Sequence, residues 1–144
     1  MEPIHYLLMK AHSNLNRWIL KEAAGLGLSP GQPKILECLA RLGACNQKAI
    51  ARSCEIEQAT AGSVLLRMER DGLVRRFQRE GDRRSLYVSL TPKGERLWGE
   101  VEDIFRRADR MACGGLGPEE REQLSRLLTL LCASAQAMGE EGQL

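Results

Sequence analysis

Gln58–Thr91 reads QATAGSVLLRMERDGLVRRFQREGDRRSLYVSLT, and its periodicity changes partway along. Over Gln58–Arg70 the apolar residues Ala61, Val64, Leu65 and Met68 recur at helical spacing, so one face of a helix turns inward. The opposite face carries Ala59, Gly62, Ser63, Leu66 and Arg70, with Thr60 and Arg67 on its flank. Asp71-Gly72 is a turn signal. Beyond it, Leu73–Gln78 and Ser85–Leu90 alternate as strands do, with Val74, Leu86, Val88 and Leu90 available for packing. The connection Arg79-Glu80-Gly81-Asp82-Arg83-Arg84 makes a cationic hairpin tip. Small outward side chains let a helix backbone approach its target closely, and an Arg-rich hairpin beside it suits a polyanion. The combination predicts the DNA-reading end of a winged helix-turn-helix. Gln58, Thr60, Ser63 and Arg67 are then the candidates for base or phosphate contacts, and the hairpin tip fits a minor groove.

Charge supports this placement more than the total suggests. The formal net charge is only +2, yet Arg67, Arg70, Arg75, Arg76, Arg79, Arg83 and Arg84 fall close together, and beyond Cys113 the balance turns acidic. A local basic patch is what phosphate binding needs, whatever the sum.

Upstream, Ile4, Leu8, Ala11, Leu15, Trp18 and Ile19 set a helical stripe over Pro3–Ala24, stopped by Gly25. Ser29-Pro30 with Gln32 predicts a capped start to a second helix ending near Leu42, in which Pro33 is awkward. Asn46 is a suitable cap for a short third helix, Gln47–Ser53, and a tight turn at Cys54-Glu55-Ile56 leads to Gln58. Downstream, Thr91-Pro92 opens a long helix to about Ala112 with Leu97, Val101, Ile104, Ala108 and Met111 inward. Gly117-Pro118-Glu119-Glu120 starts a last one bearing Leu124, Leu127, Leu128, Leu131, Ala135 and Met138, and the tail from Gly139 to Leu144 is expected to fray. The first and last two helices offer more apolar surface than a DNA-binding lobe of this size covers. Dimerisation would bury it and duplicate the reading heads at a spacing suited to a palindromic site. Packing within one chain is the alternative.

These residues resemble the MarR family of transcriptional regulators over nearly the whole chain. Asp82-Arg83-Arg84-Ser85 through Leu90-Thr91-Pro92-Lys93-Gly94 is similar to that family's D-x-R-S followed by L-T-x-x-G, and Leu66 through Val74 looks like its L-x-x-L-E-x-x-G-L-[IV] helix exit. Leu28-Ser29, Gln32 and Ile35-Leu36 add to the likeness. The resemblance implies a mainly α fold with a small β-hairpin wing, a single domain over 1–144. Residues 29–91 would form the winged helix-turn-helix lobe, and 3–24 with 92–138 the dimerisation helices. It further implies a homodimeric repressor on double-stranded DNA with a palindromic operator, in which Asp82 orients the wing and Arg84, assisted by Arg83, enters the minor groove. Two departures stand out: Ala59-Thr60 replaces the family's frequent Pro-Thr, and Glu57 occupies the position of a Ser or Asp cap.

Family members release DNA on binding a small phenolic or other lipophilic effector, or on thiol oxidation. For an effector, the crevice between dimerisation helices and DNA-binding lobe is the expected place, with His12, Trp18 and Trp98 as candidate lining residues, although Trp at helical spacing reads first as core. For oxidation, Cys38 lies one turn from Lys34 and Arg41, and Cys45 precedes a helix start, features that favour thiolate unless burial opposes them. Five cysteines without C-x-x-C spacing, and two histidines, indicate neither a disulfide framework nor a zinc site, and no cofactor is expected. No apolar run approaches a membrane span and no signal segment is evident, so no membrane partner and a cytoplasmic location are expected. Without a phosphate loop or a nucleophile-base constellation an enzyme is not indicated. A winged-helix module gripping an acidic protein partner is the remaining alternative.

Overall fold

Helix-to-hairpin passage at Asp71-Gly72 forms in a computed structural model, which describes Met1–Glu141. The elements are α1 (Ile4–Ala24), α2 (Gln32–Leu42), β1 (Cys45–Asn46), α3 (Gln47–Cys54), α4 (Gln58–Arg70), β2 (Val74–Arg79), β3 (Asp82–Leu90), α5 (Pro92–Ala112) and α6 (Pro118–Glu141). By internal contacts they fall into two units, Met1–Ala108 and the residues from Asp109 onward.

The core of the first unit is aliphatic. Ile35 and Leu36 of α2, Ile50 of α3, Leu65 and Met68 of α4, Val88 of β3 and Val101 of α5 are all fully buried. On α4 the inward residues are Ala61, Leu65 and Met68, with Val64 half-buried, which is the helical phase expected from the spacing. The three-stranded antiparallel sheet has the order β1-β3-β2, with Val74 opposite Leu90 and Phe77 opposite Tyr87. β1 went unanticipated because two residues, paired as Cys45 to Val88 and Asn46 to Tyr87, carry no periodicity.

Three local expectations change. First, α2 starts at Gln32 and not at Pro30: Gly31, at φ +95°, turns the chain, and Gln32 Oε1 accepts from Ser29 N at 3.1 Å, half of the expected capping box. This start puts Pro33 in the first turn, where an amide would have no helical partner anyway, so it costs no hydrogen bond. Second, both strands extend into the expected Arg79–Arg84 loop. Only Glu80-Gly81 remain between them, with Gly81 at φ +86° and an irregularity at Gln78/Arg79. Third, Leu86 shares a face with buried Val88 but is 46% exposed, because the hairpin runs past the end of the core.

The α5 start is clamped to the turn below α4. Thr91 N donates to Leu73 O (3.0 Å), Thr91 Oγ1 donates to Gly72 O (2.6 Å) and accepts from Gly94 N (3.0 Å), and Lys93 Nζ donates to Asp71 O (2.8 Å). One threonine thus caps a helix and anchors the base of the hairpin.

In the second unit, Glu120, one of the carboxylates expected at the start of this helix, reaches back to accept from Gly117 N at 2.9 Å. Met111, expected inward, is exposed, as are Leu124, Leu127, Leu128, Leu130 and Met138. α6 runs through Gly139 to Glu141 instead of fraying there; the remainder of the expected tail lies outside the described residues.

Candidate nucleic-acid interface

Two short helices hold the exposed helix α4. Asn46 Oδ1 caps α3 by accepting from Ala49 N (2.9 Å). Glu55 ends it at φ 54°, so the chain reverses within Glu55–Glu57 and α4 begins at Gln58. Glu57 gives no side-chain cap to α4. The first turn is tied instead by Gln47, whose Nε2 donates to Gln58 O at 3.0 Å. Gly62 makes room for this contact: a Cβ there would stand 3.0 Å from the same Nε2. Neither Gln47 nor the role of Gly62 was readable beforehand, since both depend on how α3 crosses α4.

The outward face of α4 is accessible at Ala59, Thr60, Ser63, Leu66, Arg67 and Arg70. Leu66 is 59% exposed, an apolar side chain on the outward face. Ser63 Oγ donates to Ala59 O at 3.2 Å, so its hydroxyl presents lone pairs outward more readily than a proton.

Asp82 organises the hairpin tip. Its Oδ1 accepts from Arg84 N (3.2 Å) and Ser85 N (3.3 Å), and its Oδ2 accepts from Tyr87 Oη (3.4 Å). These bonds hold the backbone of Arg84 while leaving its side chain, like that of Arg83, exposed. The arginine cluster divides in two. Arg75 donates to Ser89 Oγ and lies over Phe77, Arg76 pairs with Glu69 at 2.9 Å, and Arg79 donates to Ala44 O with its guanidinium 4.2 Å from the Tyr87 ring centroid. Arg67, Arg70, Arg83 and Arg84 have no side-chain partner among the described residues. The sequence counted seven equivalent cations; three are employed in holding the hairpin.

The candidate effector residues do not share one cavity. His12 lines a crevice of about 520 Å³ with Asn16, Lys34, Glu37, Glu55 and Phe105. Trp98 instead borders a separate 480 Å³ hollow beside Ala44 and Leu90, its ring 6.0 Å from that of Phe105. Trp18 lies under the guanidinium of Arg107, 5.5 Å from its centroid. Helical spacing placed the two tryptophans on inward faces without saying which neighbour each would meet.

At the thiols, burial opposes the effect of the neighbouring cations. Burial, then the neighbouring Cys38, pushes the Cys45 thiol up from 9.0 to about 11, with Arg79 opposing. The same causes push Cys54 up to about 12 against Lys34, and Cys54 Sγ donates to Lys34 O at 3.4 Å. Cys38 itself is buried, 1% exposed, so the nearby cations do not make it an accessible nucleophile. With a thiol reagent at pH 8, exposed Cys132 is expected to react first and buried Cys38 and Cys54 only at the unfolding rate; rapid modification of these two would contradict their burial. Because both folded values exceed the ordinary 9.0, the unfolded chain loses these protons first, and stability should fall as pH rises above about 9. Among the described residues no group of three His, Cys, Asp or Glu is arranged to hold a metal ion, and no helix is long and apolar enough to cross a membrane.

Residues 28–86, which contain α2 to most of the hairpin, match the family model described as "MarR family". The chain is 34% identical over 90 residues to the homoprotocatechuate degradative operon repressor of Escherichia coli, covering 62% of this chain and 60% of that protein. The match therefore spans less than two thirds of that relative's length. It is 31% identical over 101 residues to the transcriptional regulator HosA of Escherichia coli O127:H6, covering 70% of this chain and 75% of HosA. In three dimensions it is similar to the Bordetella bronchiseptica protein BpsR, with a TM-score of 0.81, 27% identity and coverage of 91% of this chain and 99% of that one. That structure concerns regulation of DNA binding by 6-hydroxynicotinic acid.

Proposed function

We propose, from the premise that this chain belongs to the MarR family of transcriptional regulators, that it is a homodimeric, sequence-specific repressor relieved by a small-molecule effector. Such a regulator is not an enzyme. Arg67 and Arg70 on α4 and Arg83 and Arg84 at the wing tip carry the reading: these four side chains have no partner among the described residues, and all four stand on the surface that would meet DNA. Gln58, Thr60 and Ser63 face the major groove, and Arg84, with Arg83, enters the flanking minor groove, where a narrow width strengthens the negative potential. The exposed apolar residues of α1 and α6 support a second copy as partner, and two copies would read a palindromic operator in the cytoplasm.

Selection of fragments bound by the purified protein from genomic DNA tests this. Enrichment of fragments sharing an inverted repeat is expected; no enrichment at low salt would favour the alternative, a hairpin that grips an acidic protein. On an enriched fragment, Arg84→Ala should weaken binding by roughly 1–3 kcal/mol, measured by fluorescence anisotropy. Equal affinity of variant and parent would remove the wing assignment.

The 520 Å³ crevice is the proposed effector site, with His12, Asn16, Lys34, Glu37 and Glu55 among its polar groups and Phe105 as an aromatic wall. A small phenolic or other lipophilic compound suits it, and the action of 6-hydroxynicotinic acid on the similar Bordetella protein is in keeping with this class. Thiol oxidation is the less favoured trigger, since burial raises the thiols of Cys45 and Cys54.

A further inference from the structure

Between the Ser29-Pro30 turn and α4 lies a concavity of about 440 Å³, lined by Ser29, Pro30, Ser63, Val64, Arg67 and Arg70. Its four α4 residues follow one another at i, i+1, i+4 and i+7, a stripe along one flank of the outward face. The turn is held close to that stripe, with a Cβ at Gly31 falling 3.4 Å from Val64 Cγ2. Both charged residues of the lining are arginines, no carboxylate lines it, and neither guanidinium has a partner among the described residues. Ser63 spends its proton on Ala59 O. Ser29 has its amide bonded to Gln32, and its hydroxyl has no hydrogen-bond partner among the described residues.

Two guanidinium groups converging on one hollow repel each other unless an anion lies between them, and a neutral base edge does not supply one. A phosphate does, and it suits their planar, forked donors. The flank of a recognition helix runs beside the sugar-phosphate strand while its outward face meets the bases. We infer that this concavity seats a single backbone phosphate of bound duplex DNA, gripped by Arg67 and Arg70 with the Ser29 hydroxyl as a third donor. Arg67 thereby moves from the base-reading set to the backbone, and base preference rests on Gln58, Thr60, Ser63 and Leu66. The inference rests on the DNA-binding reading above.

A salt titration on a labelled mixed-sequence duplex of about 30 base pairs tests it, because phosphate contacts act in non-specific binding as well. The double variant Arg67→Ala/Arg70→Ala should flatten the slope of log Kobs against log salt by about 0.9, one phosphate's worth, and Ser29→Ala should weaken binding without altering the slope. On enriched genomic fragments the double variant should lower affinity evenly and leave the preferred sequence unchanged. A loss of about 1.8 would mean two separate phosphates and overturn the shared seat, as would an unchanged slope. A changed base preference in Arg67→Ala alone would return that residue to base reading. Binding of inorganic phosphate that Arg70→Ala abolishes, with the DNA slope unaffected, would assign the hollow to a free anion and overturn the backbone seat. If the parent binds no duplex at low salt, the DNA-binding reading itself fails, which is a different result from a parent that binds and variants that match it. Both arginines are exposed, so thermal melts of the variants should match the parent's.

Discussion

Gly94→Ala is expected to destabilise the protein by on the order of 3 kcal/mol, a fall in melting temperature of roughly 6–12 °C at this chain length. Gly94 is buried in the first turn of α5, where the backbone rests against the carbonyl of Leu73, and an added Cβ would overlap that oxygen. The oxygen cannot retreat freely, because it already accepts from Thr91 N at 3.0 Å. Helix propensity acts the other way, but alanine gains only about 1 kcal/mol over glycine in a helix, less than displacing backbone costs. Gly99→Ala, five residues on, separates the two effects. A Cβ there meets nothing within 4 Å, so this variant should be unchanged or stabilised by up to about 1 kcal/mol. If Gly94→Ala melts with the parent, α5 does not dock on Leu73 as described.

Leu65→Ala should cost roughly 2–5 kcal/mol in urea denaturation, whereas Leu66→Ala should change stability by no more than about 0.5 kcal/mol. The two residues are chemically identical and adjacent, and only the rotation of α4 distinguishes them. Leu65 is fully buried among α2, α3 and sheet residues; Leu66 is 59% exposed. The pair therefore measures the phase of the recognition helix directly. Equal losses from both would mean that α4 is rotated and that the face assigned to DNA is wrong. A Leu66→Ala variant that keeps its stability but shifts base preference would fit an apolar contact with thymine methyl groups in the major groove.

Much of the framework followed from local rules. Helix spans α1, α3, α4 and α5 and the turn at Asp71-Gly72 lie within a residue or so of where apolar spacing, caps and glycines put them. Asp82 was singled out through a resemblance, and its three hydrogen bonds give that choice a physical content. The α2 start differs because Ser29-Pro30 carries every local sign of a helix start, while Gly31 at positive φ delays it by two residues.

What the chain's own order determined is the helical phase of α4, the alternation of the hairpin and the position of the arginines along both. These are properties of periodicity, and periodicity is written in neighbouring residues. Tertiary structure alone decided which arginines remain free. Whether a guanidinium is available depends on partners distant in sequence, Ser89, Ala44 and Tyr87 among them, that the fold brings beside Arg75 and Arg79. The same holds for the separation of His12, Trp18 and Trp98 and for the burial of Cys38 and Cys54. Each depends on how one element packs across another, and no local spacing encodes that.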